Sequence, residues 1–157
     1  MNPMSDYKVE KDRFSVKLFF VDGTSKEGYI YLSLQAAHHE GHELVMDVLN
    51  GSEPFLPIKF PDGPTKLINK GNLSMISFPS DEREDPGEGS ALEKTEAQVA
   101  IHLVNDTRLE GSFLIVLPNH ARRVKDFLNQ EASYLELRKS GETYLINKDH
   151  ILYVEEK

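Results

Sequence analysis

The chain has 157 residues, of which 39% are hydrophobic and 28% charged, so it is expected to hold one ordinary domain or two very small ones. It has no cysteine, which excludes a disulfide-stapled module, a Cys-ligated zinc site and a thiol nucleophile. The formal net charge is −8 and the polar start has no apolar signal segment, so we expect a cytoplasmic protein that does not enter a membrane.

An internal duplication organises the chain. Three sequence blocks occur twice, in the same order and with the same apolar phase, which chance similarity does not produce. We therefore divide the chain into an N-terminal extension (1–12), repeat 1 (13–78), a linker (79–96) and repeat 2 (97–157). The matching blocks are Val16–Gly28 with Val99–Gly111, Val45–Asn50 with Val124–Asn129, and Leu67–Lys70 with Leu145–Lys148.

The linker is strongly acidic. Between Pro79 and Glu96 it holds seven acidic residues against two basic ones, with two prolines and two glycines. Such a composition buries too little apolar surface to fold, and it is typical of a flexible connection. Most of the net negative charge lies there, so each repeat is close to neutral.

Each repeat is predicted to form strand, strand, short helix, strand and strand. In repeat 1 the first strand alternates apolar and polar residues from Val16 to Phe20, and Asp22-Gly23 supplies a tight turn. The second strand follows at 29–34, helical spacing runs from 44 to 49, and the third strand covers 55–60. Pro57 indicates that this third strand lies at an edge of the sheet. A last hairpin runs from Thr65 through an Asn-Lys turn.

Repeat 2 follows the same plan, with Asn105-Asp106 at the first turn and helical spacing after Val124. Its second strand differs, because residues 113–117 are apolar on both faces. We expect Leu114 and Val116 to meet a second layer, which is either the other repeat or another subunit. The fold class predicted from these patterns is α+β and β-rich, with two tandem ββαββ repeats packed pseudo-symmetrically.

Both repeats keep an aspartate and an asparagine at the end of the predicted helix. Asp47 and Asp126 fall in the last turn, where the helix dipole disfavours an acid. We therefore expect a specific partner, either a local backbone N–H or the ammonium group of Lys70 or Lys148. At the next turn, Asn50 and Asn129 are predicted to form left-handed helix caps.

The histidine cluster of repeat 1 is a candidate metal site. His38, His39 and His42 stand among Glu40 and Glu43, and histidines four residues apart on a helix can chelate a metal. The order H-H-E-G-H-E matches no zinc-protease motif, and the cluster falls in an insertion peculiar to repeat 1. A solvated helix start is the favoured interpretation, and we predict neither metal nor cofactor.

The repeated pattern of strand, D-G-T, E-G, strand, D-[FV]-L-N, strand and L-I-N-K resembles an uncharacterised bacterial domain family of unknown function. More distantly, parts of each repeat resemble the Sm-like small β-barrel, which implies small Sm-like or SH3-like barrels as the architecture. That resemblance implies that Asn50, Lys70 and their equivalents Asn129 and Lys148 occupy RNA-contacting loop positions. In it Asp47 and Asp126 brace those loops, while Asn69 and Asn147 belong to the second, I-N-K motif.

We predict a non-catalytic binding or scaffold module that acts through protein–protein interaction, with a protein partner or by self-association. The sequence shows no nucleophile–base constellation and no glycine-rich phosphate loop, so no enzymatic activity is predicted. The alternative is an Sm-like RNA-binding protein, which the near-neutral repeats disfavour. The candidate binding residues are Asp47, Asn50, Asn69, Lys70, Asp126, Asn129, Asn147 and Lys148.

Overall fold

A computed structural model describes residues 11–37, 40–80, 94–116 and 123–157. The described residues form ten strands, two short helices and two 3₁₀ turns, at Lys70–Asn72 and Lys148–His150. The first half comprises β1 (Lys11–Phe20), β2 (Ser25–Ser33), α1 (Val45–Leu49), β3 (Phe55–Lys59), β4 (Thr65–Asn69) and β5 (Leu73–Pro79). The second half comprises β6 (Lys94–Leu103), β7 (Arg108–Val116), α2 (Val124–Leu128), β8 (Tyr134–Lys139), β9 (Glu142–Asn147) and β10 (Ile151–Glu156).

All ten strands belong to one antiparallel sheet, in the order β10-β6-β7-β8-β9-β5-β1-β2-β3-β4. Each half is a meander of four strands whose fifth strand returns to pair with the first. The two halves are joined where β5 of the first half pairs with β9 of the second. We call this junction the seam.

The predicted fold class is wrong. The protein is nearly all sheet, and its repeats are not ββαββ units of an α+β fold. Each helix has only five residues, little more than one turn, so the helices cannot form a layer of their own. The chain after each 3₁₀ turn forms a fifth strand, and this strand joins the halves edge to edge in one sheet.

The first hairpin of each half forms as predicted, around residues with positive φ. Gly23 has φ 90° and Asp106 has φ 71°, conformations that glycine and aspartate tolerate. The Oδ1 of Asp22 accepts a hydrogen bond from the backbone N of Thr24 at 2.9 Å, which closes the turn.

Two further predictions need correction. Pro57 does not place β3 at the edge, because β3 lies between β2 and β4. Its pairing with β2 covers only Tyr29 and Ile30, opposite Lys59 and Ile58, so Pro57 lies beyond this ladder and interrupts no bond there. Leu114 and Val116 are half-buried on β7, and the halves meet at the seam instead.

The segment predicted as a linker, 79–96, begins and ends within strands. Pro79 is opposite Glu142 at the seam, and β6 starts at Lys94. Residues 81–93 lie outside the described part of the chain. Within the described part, no helix is both long and apolar enough to cross a membrane.

The buried residues form two cores, one in each half. The first core surrounds Leu18 and Ile58, and the second surrounds Ile101 and Leu137; all four side chains are fully buried. Burying such side chains stabilises the fold by about 1.5–3 kcal/mol each.

Three buried residues at or next to the seam pack in the core of the other half. Tyr134 and Leu145 belong to the second half but pack in the first core. Met75 belongs to the first half but packs in the second core. Each core is therefore completed by residues of the other half, and we expect the two halves to unfold as one cooperative unit.

Gly111 is a position where the close approach of β7 and β8 requires glycine. A Cβ there would lie 2.6 Å from the carbonyl oxygen of Arg138, a backbone atom that cannot move aside. We expect Gly111→Ala to lower the free energy of unfolding by about 2 kcal/mol, as overpacking commonly does. Gly63→Ala is the control, because its Cβ would meet no atom within 4 Å. Urea unfolding measures both, and equal midpoints for the two variants would contradict the steric argument.

Candidate functional site

The seam is a five-residue ladder between β5 and β9. Met75 lies opposite Ile146, Ile76 opposite Leu145, and the ladder ends with Pro79 opposite Glu142. Leu145, Ile146 and Ile76 are buried, so the seam is a dry strand pair within the sheet. Three of the predicted site residues, Asn50, Lys70 and Asn147, take part in hydrogen bonds that join the two halves near it.

Asn147 fastens one end of the seam. Its side chain is buried, and its Nδ2 donates to the carbonyl oxygen of Leu73 at 3.1 Å, across the seam. Its Oδ1 accepts from the backbone N of Asp149 at 3.0 Å, which caps the 3₁₀ turn after β9. Asn69, the equivalent in repeat 1, makes the same local cap, to the backbone N of Gly71 at 2.9 Å.

Asn50 crosses between the halves as well. Its Oδ1 accepts from the backbone N of Tyr134 at 2.9 Å. The hydroxyl of Tyr134 in turn donates to the carbonyl oxygen of Lys70 at 3.0 Å. Burial raises the pKa of Tyr134, which keeps this hydroxyl protonated and able to donate.

His150 and Ser74 add a buried polar contact that the sequence did not single out. The Oγ of Ser74 is 3.0 Å from Nδ1 of His150, and Nε2 of His150 donates to the carbonyl oxygen of Gly71 at 2.6 Å. His150 is equivalent to Asn72 of repeat 1, so the comparison of the two repeats does not single out this position. Tyr134 was missed for the same reason, because its equivalent is Phe55.

The ammonium groups of the two predicted lysines bind carbonyl groups at the C-terminal ends of the two helices. Lys70 Nζ donates to the carbonyl oxygens of Gly51 at 2.8 Å and of Leu49 at 3.3 Å. Lys148 Nζ donates to the carbonyl oxygen of Leu128 at 3.1 Å and also to that of Gln130. Burial lowers the pKa of the Lys70 ammonium. Both lysines thus satisfy carbonyls that a short helix leaves unpaired.

Both aspartates make local contacts. For Asp47 the partner is a backbone N–H, one of the two predicted alternatives. The Oδ2 of Asp47 accepts from the backbone N of Leu44 at 2.8 Å, while Asp126 Oδ2 is 3.2 Å from Nε of Arg123. Because each helix has little more than one turn, each aspartate also lies in the first turn of its helix. There the dipole favours an acid.

The asparagine caps also differ from expectation. Asn50 has φ −87° and Asn129 has φ −93°, so neither adopts the left-handed conformation. Asn129 instead donates from Nδ2 to the carbonyl oxygen of Lys125 at 2.7 Å. Of the predicted pair, only Asn50 contacts the other half by a hydrogen bond in the described structure.

The histidine cluster that was considered as a candidate metal site lies only partly within the described residues. His38 and His39 lie outside the described residues, and Nδ1 of His42 is 3.2 Å from the carbonyl oxygen of Glu43. Glu43 Oε1 accepts from the backbone N of Ser33 at 3.0 Å, so this carboxylate holds the loop to β2. Within the described ranges no three potential metal ligands cluster.

The sheet has two open edges, β4 and β10, each paired on one side only among the described strands. Seven large hydrophobic side chains of the described residues are exposed; three of them lie on these edge strands, and a fourth, Phe55, lies on β3 next to β4. Strand edges with exposed apolar side chains are surfaces onto which another chain can add a strand. The three on the edge strands are Leu67 on β4, and Leu152 and Tyr153 on β10.

Comparison with protein-family models, curated proteins and solved structures finds no match for this chain.

Asn147→Ala is expected to destabilise the protein more than Asn69→Ala. The first variant loses a buried hydrogen bond across the seam and leaves the Leu73 carbonyl unsatisfied, whereas the second loses only an exposed local cap. An unsatisfied buried group costs about 1–3 kcal/mol, and we expect a difference of that size in the free energy of unfolding. Urea unfolding at low protein concentration, followed by circular dichroism, measures this difference. Equal losses for the two variants would show that Asn147 does not fasten the seam.

Proposed function

We propose that this protein is a non-catalytic binding module that acts through protein–protein interaction at the open edges of its sheet. The observation that supports the proposal is the pair of edges β4 and β10, which carry exposed apolar side chains within reach of unpaired strand backbone. Proteins usually blunt such edges with charges, prolines or bulges, since an uncovered one invites another strand. These edges carry such features, namely Lys66 on β4 and Glu155, Glu156 and a register irregularity between Ile151 and Tyr153 on β10. They nevertheless expose Leu67 and Leu152, which are 71% and 64% exposed.

The polar residues near the seam favour this role over chemistry on a substrate. Asn50, Lys70 and Asn147 direct their polar atoms at backbone groups, where they hold strands and helix ends in place. Each contact stabilises the frame that presents the edges. The expectation that the protein is no enzyme stays a prediction.

RNA binding is the alternative function, and the lysine geometry gives it no support. A phosphate contact needs an ammonium group that faces solvent, whereas Lys70 and Lys148 donate to carbonyl oxygens of their own chain. Releasing them would leave those carbonyls unsatisfied. The binding proposal therefore rests on the sheet edges and not on these side chains.

The test is an affinity capture from native lysate with wild-type protein and a variant with both edges charged, Leu67→Lys with Leu152→Lys. A lysine at each position places a charge where an added strand would bury an apolar side chain. We expect the wild-type protein to retain a stoichiometric polypeptide, including further copies of the chain itself, and the edge variant to lose it.

Val21→Lys with Val104→Lys is the matched control. Both valines are exposed, at 38% and 52%, and neither belongs to β4 or β10. The control should retain what the wild type retains. Polypeptides held equally by the edge variant and the wild type would contradict the proposal, as would a wild-type protein that captures nothing.

A further inference from the structure

We infer that the partner of the open edges is a second copy of this chain, whose β10 adds to β4 in the register of the seam. This inference rests on the proposed function and names its partner. It follows from the duplication, because the seam already shows how the fifth strand of one repeat pairs with the fourth strand of the other. The edges left open are the same two strand types, β4 being the fourth strand of repeat 1 and β10 the fifth strand of repeat 2.

Three buried residues pack in the core of the other half, and their equivalents in the other repeat are exposed, on β4, on β10 and on β3 next to β4. Strand pairing in the two halves matches residue by residue, since Leu18 opposite Ile76 corresponds to Ile101 opposite Val154. By this correspondence, the three side chains that pack in the core of the other half are equivalent to three side chains that are exposed. The equivalent pairs are Tyr134 (3% exposed) with Phe55 (50%), Leu145 (1%) with Leu67 (71%), and Met75 (4%) with Tyr153 (48%).

Exposed side chains at these positions are expected at an edge that lacks the partner strand present at the seam. Phe55 and Leu67 would cover the second core of a neighbouring chain, as Tyr134 and Leu145 cover the first core here. Tyr153 of that neighbour would enter the first core of this chain, as Met75 enters the second core at the seam. The apolar surface now exposed at both edges would be buried by one strand pairing.

Charge fits the same register. In the seam Ser77 lies opposite Tyr144, and the equivalent pair between chains is Glu155 opposite Lys66. Residues directly opposite in an antiparallel pair point to the same face, so this acid and this base would lie side by side. A register shifted by one residue would separate them onto opposite faces.

The polar fastening is conserved between the copies as well. Asn69 is held by the same local cap as Asn147, which directs its Nδ2 toward the position that Ile151 of a neighbour would occupy. Asn129 of that neighbour is equivalent to Asn50, and it would lie opposite the backbone N of Phe55 in the chain that carries Asn69. A hydrogen bond like that of Tyr134 has no equivalent, because Phe55 lacks a hydroxyl group.

Such a contact is head-to-tail, since β4 and β10 are different surfaces. Head-to-tail contacts close into rings or extend into filaments, and they leave an assembly whose mass is a whole multiple of the chain. Concentration therefore controls assembly, and the free chain and the assembly are both observable by sedimentation.

The first test is charge exchange across the predicted contact, read by analytical ultracentrifugation over a range of protein concentrations. K66E alone places Glu opposite Glu155, and E155K alone places Lys opposite Lys66, so each should weaken self-association by about tenfold. The double variant K66E/E155K restores an opposite pair and should return to wild-type association. Lys125→Glu, on the exposed side of α2, is the control and should leave association unchanged.

The second test uses the absence of native cysteine. Lys66→Cys mixed with Glu155→Cys should give a disulfide-linked pair of chains under mild oxidation, whereas Lys66→Cys mixed with Glu156→Cys should not, because neighbouring residues point to opposite faces. Equal cross-linking by both mixtures would overturn the register.

A wild-type chain that stays monomeric at all concentrations would overturn the inference, and so would association that neither single charge reversal weakens. If the monomeric chain still captures another polypeptide in an edge-dependent way, the proposed function stands and only the identity of the partner is wrong. If neither self-association nor edge-dependent capture occurs, both fail.

Discussion

The pairing of β5 with β9 is the interaction on which the rest of the structure depends. It joins the two five-strand halves into one sheet and lets each half complete the core of the other, through Met75 in one direction and Tyr134 and Leu145 in the other. A unit of about 60 residues buries too little surface to be comfortably stable alone. The seam supplies the missing burial, and its polar contacts, such as that of Asn147 with Leu73, select one register over its neighbours.

The duplication explains why the sheet has one strand pairing between the two repeats and two open edges. Two copies of a unit with complementary edges form one internal pair and leave one edge of each kind outside. The copies have diverged where this difference matters: Ser77 faces Tyr144 inside, while Lys66 and Glu155 occupy the equivalent outer positions. Charged residues at the outer positions keep an edge soluble and still allow a matched partner. The helix-end lysines, Lys70 and Lys148, are the same in both copies because both helices end in unpaired carbonyls.

Local features of this fold are predictable from the sequence, and long-range ones are not. Apolar alternation located β1 and β6, and turn chemistry located the positive φ at Gly23 and Asp106, because both depend on neighbouring residues. The seam joins β5 to β9 across about 70 residues, and no local pattern specifies which edges meet. Of the predicted site residues, Asn50 and Asn147 bridge the halves through backbone groups of Tyr134 and Leu73, and a binding role for them stays a prediction. The side chains of Tyr134 and His150 were missed because the repeats differ at these positions.

Native-state hydrogen exchange of the seam amides, measured at a concentration where the chain is monomeric, tests the central claim most directly. If the seam makes one cooperative unit, the protected amides of β5 and β9 exchange only through global unfolding, with the same free energy as the protected amides of β1 and β6. Seam amides that exchange at much lower free energy, or two halves with separate unfolding free energies, would show that the halves fold independently and would contradict the account.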